Sequence, residues 1–184
     1  MAIPEEHTMA RRMVRTMALV ILAAVAAQGQ GGSTAREYAD QMSEMALSWQ
    51  ADAILTQVGA WTVHMDGTAD VGPQGWFYTY YSPSAKQWRL FQLGTTGFVQ
   101  RAVASGPTLP LPEGYLDSHE AMGRAIKSGF KPEEENLMLL GAASSKKIPE
   151  SVYWIVGRAD QRTGPASARG YLIDAITGAL AGRL

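Results

Sequence analysis

The side chains with the greatest chemical potential in this chain are few and scattered. Of its three histidines, His7 lies near the N-terminus, His64 precedes two aspartates (Asp66 and Asp70), and His119 adjoins Glu120. No two histidines share helical spacing, and HExxH, GxSxG and Walker-type glycine loops are all absent from the sequence. Asp66 and Asp70 flank a glycine-containing loop, yet the alternating acidic positions and distal glutamate of a calcium-binding EF-hand are missing. With no cysteine at all, disulfides, thiolate metal sites and a catalytic thiol are excluded. Glu133, Glu134 and Glu135 follow a proline and read as charge on a helical first turn or a solvated loop, and Lys146-Lys147 as a solvated pair. The reading is a non-enzymatic protein with no catalytic residue, no cofactor and no metal site.

Aromatic side chains are the stronger signal. In residues 76–81 (WFYTYY), strand alternation sends Trp76, Tyr78 and Tyr80 to one face and Phe77, Thr79 and Tyr81 to the other. Tyrosine and tryptophan bury much area while keeping a polar handle, so Trp76, Tyr78 and Tyr80, with Trp88, form a candidate partner-binding surface. The same alternation also fits ordinary cross-strand pairs, or a face covered by the second half of the chain or by a dimer mate. A second group, Asp174, Thr177 and Gly178, has turn chemistry: the aspartate can accept amides two or three residues on, and the glycine can take a positive φ.

These residues need elements to carry them, and the pattern of elements occurs twice. Residues 34–58 read as helix, with Tyr38, Met42, Met45, Trp49 and Ala53 on one face and Gly59 as the stop. Ser48 could also cap a second, shorter helix after a break. Strand-like segments follow at 61–65, 76–81 and 88–93, the last continuing through a turn at Gly97 to Val103. Residues 105–116 form a proline-rich connector, which cannot sit inside a sheet. Asp117 and Glu120 then have the spacing of a capping box, leading into a helix with Ala121, Met122, Ala125 and Ile126 on one face and Gly129 at its end. Strands are expected at 137–140, 152–157 and 168–174, with a turn at 160–165 and a closing segment at 179–184. Without gaps, residues 90–99 align to 171–180, and Trp76-Phe77-Tyr78 to Tyr153-Trp154-Ile155. Each unit is too small to bury a sheet face alone, so the two should pack together.

The N-terminus orders Arg11, Arg12 and Arg15, an apolar run at 17–27 (MALVILAAVAA), then small and polar residues to 33. That is the order of a secretory signal, and the run is shorter than the about 20 apolar residues of a membrane span. Export to the periplasm or outside the cell is expected, with membrane contact only through residues 13–27 if the leader is retained. Met9 would also serve as a start. Sixteen basic against seventeen acidic residues give no footprint for nucleic acid.

The second half, with Val152-Tyr153-Trp154-Ile155-Val156 and then Gly170 to Asp174-Ala175-Ile176-Thr177-Gly178-Ala179-Leu180, resembles the PepSY domain family, which ends in a strand, an Asp-Ala-x-Thr-Gly turn and a further apolar residue. The first half is similar in degenerate form, with Leu93-Gly94-Thr95-Thr96-Gly97 in that place. The resemblance implies an α+β fold of two tandem units, each a helix plus an antiparallel three-stranded sheet, at residues 34–104 and 117–184, after a signal or anchor helix in 1–33. It also implies a non-catalytic binding module, either an inhibitor or chaperone of a secreted enzyme or an accessory subunit of an envelope complex, with an unidentified protein partner. The alternative is a small-ligand or envelope-polymer binder using the aromatic sheet face.

Overall fold

Helical periodicity carries the first helix, α1 (Ala39–Trp49), only as far as Trp49. There the backbone turns extended at Gln50 (φ −146°, ψ 126°), whose N–H still closes on the Ala46 carbonyl. The computed structural model describes residues 32–145, 148–158 and 169–184, so the expected leader helix in 1–33 and the turn at 160–165 fall outside the described residues, Gly32 and Ser33 apart. Residues 54–58, read above as helix, are instead the start of β1 (Ile54–Val63). The cause is tertiary: β1 is paired on both sides, burying Thr56, Val58, Ala60 and Val63 completely, and such pairing overrides a weak helical preference. Ser48 starts no second helix; its hydroxyl donates back to the Glu44 carbonyl within α1.

The chain continues through β2 (Phe77–Ser82), β3 (Gln87–Gly94), β4 (Gly97–Val103), α2 (Ser118–Lys127), β5 (Asn136–Ser145), β6 (Ile148–Arg158), β7 (Arg169–Asp174) and β8 (Leu180–Arg183). The eight strands form one antiparallel sheet in the order β4-β3-β2-β1-β5-β6-β7-β8. The expectation of two three-stranded units is therefore overturned: each half contributes four strands, and the two meanders fuse through their first strands. The edges of β1 and β5 would otherwise expose unpaired backbone groups, and pairing Val58 with Leu140 and Ala60 with Met138 removes both edges at once.

One transverse row shows where the core sits. Register connects Phe91, Tyr78, Val58, Leu140, Trp154 and Ile173 across six neighbouring strands, and all six side chains are fully buried. Directly opposed residues share a face, and this is the face on which both helices lie. Trp49 of α1 meets Phe91 with ring centroids 6.4 Å apart. At the other end, the Trp154 indole donates to the Leu116 carbonyl just before α2 (2.8 Å).

The gapless alignment of the halves preserves strand pairing but is one residue out of phase. It lays Phe77 on Trp154 and Gln92 on Ile173, and both pairs do oppose each other. Yet Trp154 belongs to the helix-facing row, whereas Phe77 opposes Gly59 and Leu139 lies beyond it, on the other face. A one-residue slip moves every side chain to the opposite face.

Candidate functional site

Which aromatic face is open follows from where α1 lies. Trp76, Tyr78 and Tyr80 point toward the helices and are all but inaccessible, at 4%, 0% and 2% exposure. Their polar ends are spent on the chain itself. The Trp76 indole donates to the Ser33 carbonyl (2.7 Å) and the Tyr78 hydroxyl to the Ala35 carbonyl (2.9 Å), while the Tyr80 hydroxyl pairs with that of Ser43 in α1 (2.8 Å). Burial pushes the Tyr80 phenol up to about 12 and holds that of Tyr78 well above its ordinary value. The Trp76 ring meets Trp154 edge-on (6.1 Å), and Tyr80 meets Phe91 in the same way (5.6 Å). These three side chains are core, and the proposed platform of Trp76, Tyr78 and Tyr80 does not exist as a surface.

Trp88 belongs to the other face. There it stacks against Tyr81 with ring centroids 4.9 Å apart, and its indole donates to the Pro107 carbonyl in the connector (2.9 Å). Farther along, Trp61 stacks on Phe77 (6.0 Å). Gly59 makes room for this: a Cβ there would come within 2.7 Å of both the Phe77 ring and the Leu139 side chain. Leu139 and Ile155 extend the apolar strip in register from Phe77 toward β7. Trp61, Tyr81, Trp88, Leu139 and Ile155 are each only partly buried, and neither α1 nor α2 lies over this face. Alternation had already separated Phe77 and Tyr81 from Trp76, Tyr78 and Tyr80; only the side taken by α1 was missing from the sequence. Gly59 was missed because it read as a helix stop, and Trp61, although read as the start of a strand, had no cue placing it beside Phe77.

The titratable groups have structural work. Asp174 accepts from the backbone N–H groups of Ile176 (3.1 Å) and Thr177 (2.8 Å) and from the Thr177 hydroxyl (2.9 Å), while Gly178 takes φ +69°. The Thr177 amide above all, with its hydroxyl and the Ile176 amide, holds the Asp174 carboxyl below the usual range against a smaller opposing effect of burial. Asp52 is lowered in the same way by the Ser82 hydroxyl and then by Ser84, tying the β2–β3 turn to the start of β1. His64 lies 3.2 Å from Asp70 on an exposed loop, and His119 lies 3.7 Å from Asp117. Glu133 pairs with Arg158 at 2.7 Å, while Lys146 and Lys147 lie outside the described residues. Among the described residues no three His, Asp or Glu side chains converge as metal ligands, and no helix is long and apolar enough to cross a membrane.

No family model, curated protein or solved structure matches this chain.

Proposed function

We propose that this chain is an exported, non-catalytic module that acts by binding another protein, as an inhibitor or chaperone of a secreted enzyme or as an accessory subunit of an envelope complex. The observation that carries the reading is the aromatic strip of Trp61, Tyr81 and Trp88, each only partly buried, with the buried Phe77 ring beneath Trp61, on the sheet face away from both helices. Rings of this kind, flanked by Leu139 and Ile155, suit the centre of a protein interface, where tryptophan and tyrosine contribute most of the binding energy. The basic, apolar and small-residue order of residues 11–33 supports export.

A photo-crosslinking side chain placed at Trp61 or Trp88, with expression in an envelope-bearing host, tests the surface directly. Defined adducts are expected from both positions and none from Leu47, which is exposed on α1. Equal labelling from Leu47, or no adduct from either tryptophan position, overturns the reading. Intact mass of the exported chain reads the leader: loss of residues through about 27 is expected, and a retained apolar run would replace secretion with tethering.

A further inference from the structure

The two ends of the sheet are built differently, and among the described residues one of them is open. At the far end β8 has four residues, and its pairing with β7 is interrupted by a register shift between Leu172 and Ile173. Short, bulged edges of that kind resist further pairing. At the near end β4 has seven residues and pairs one-to-one with β3 from Trp88–Val103 to Gly94–Gly97, with neither bulge nor proline. The two-residue turn makes Gly94–Gly97 a hydrogen-bonded pair, so alternation turns the N–H and C=O groups of Phe98, Gln100 and Ala102 outward. Among the described residues, none of these backbone groups bonds beyond β3. Val99 is 48% exposed, and Gln100, Arg101 and Ala102 are exposed beside it.

From this edge we propose that two copies of the chain associate through antiparallel pairing of their β4 strands about a two-fold axis at Gln100. An open edge row is complementary to another extended strand, and β4 is complementary to itself. Centring the axis on Gln100 sets Gln100 against Gln100 of the second copy and Phe98 against Ala102. All outward groups then find partners. The charge pattern selects the same register: Arg101 is the only charged residue in β4, and it then opposes Val99 of the second copy, so the directly opposed pairs contain no like charges. The Gln100 side chain already accepts from the Arg89 guanidinium within its own sheet (3.2 Å), leaving its backbone to make the new bonds. The β1–β5 junction joins the two halves of each chain by the same antiparallel edge pairing. The interface is isologous, as in most homodimers, and it is separate from the aromatic face.

Sedimentation equilibrium on the purified chain is expected to give twice the mass of one chain. Gln100→Pro should return it to one, with circular dichroism unchanged, because the Gln100 N–H is not part of the ladder with β3. Since the chain has no cysteine, Gln100→Cys offers a second reading. Directly opposed Cα atoms about 5.5 Å apart fall within disulfide range, so oxidation should link two copies at Gln100→Cys but not at Phe98→Cys, which would oppose Ala102. A wild-type chain that sediments as a monomer, a dimer that survives Gln100→Pro, or cross-linking at Phe98→Cys as efficient as at Gln100→Cys each overturns the proposal.

Discussion

In the first half of the molecule, α1 begins at Tyr38 without a side-chain cap, and the sheet holds its start from below. Trp76 and Tyr78 donate to the carbonyls of Ser33 and Ala35, and Tyr80 reaches Ser43. In the second half, α2 carries a full capping box: Asp117 accepts first-turn amides, and Glu120 accepts from the Asp117 N–H. The two solutions are not independent. The Asp117 carboxylate also accepts from the Arg36 N–H (3.1 Å), and the buried Ser118 hydroxyl accepts from the Ala35 N–H (3.0 Å). The cap of the second helix therefore also satisfies amides leading into the first. The lesson is that two similar units sharing one sheet also share local chemistry, so a residue's role is set by the assembled pair.

Removing a shared core side chain should produce the largest effect. Trp154→Ala deletes a fully buried indole from the row that both halves build and should cost about 3–5 kcal/mol, read by urea denaturation. Tyr78→Phe keeps the ring in the same row and removes only the bond to the Ala35 carbonyl, so about 1 kcal/mol is expected. Similar losses from both would mean that the hydroxyl, not the packing, anchors the first half.

Asp117→Ala comes next. An ordinary cap is worth about 1 kcal/mol, with a range reaching about 2; because this carboxylate serves both halves, the upper end is expected. Hydrogen exchange locates the effect: amides at the start of α1 as well as α2 should lose protection. Loss confined to α2 would break the idea of a shared cap.

A smaller effect separates the two turn aspartates by pH. In the folded chain Asp174 and Asp52 titrate below their ordinary value of 3.8, so each contributes stability that is fully present above that value and is lost as pH falls through the lower folded one. Asp174→Asn and Asp52→Asn should each flatten the acid limb of the stability profile below about pH 4, with little change in its slope near neutrality. An unchanged acid limb in either variant would show that the turn holds without the carboxylate's charge.

How much of this was legible depended on whether the deciding interaction was local. The Asp117–Glu120 spacing and the Asp174 to Gly178 turn could be read because their partners lie within a few residues. β1 could not: Ile54 to Val58 become strand only because β2 and β5 flank them, and Gly59 read as a helix stop although it lies where Phe77 and Leu139 crowd a central strand. Alternation divided the aromatic run correctly into two faces. Nothing local to residues 76–81 says which face α1 takes, so alternation alone cannot tell that Trp76, Tyr78 and Tyr80 lie on the covered face and Phe77 and Tyr81 on the other. The fourth strand of each half was read only as a continuation through the Gly97 turn to Val103 and as a closing segment at 179–184, not as a strand of its own, since β4 and β8 are edge strands with weak apolar alternation.

Each half also carries an ion pair on its surface, and here the comparison should nearly vanish. Glu133 and Arg158 meet at 2.7 Å with both side chains about half exposed, and His64 and Asp70 meet at 3.2 Å with the aspartate 79% exposed. Good distance alone does not make such a pair stabilising, because solvent screens the attraction and ordering two side chains costs entropy. The Arg158 guanidinium also donates to the Lys131 carbonyl (3.3 Å), a contact that survives loss of the carboxylate. Glu133→Gln should therefore shift stability by about 0–1 kcal/mol, and Asp70→Asn should fall at or below the same level. Added salt should shrink both differences further. A loss from Glu133→Gln comparable to that from Asp117→Ala would mean that the second half is fastened from its surface as well as from its helix cap.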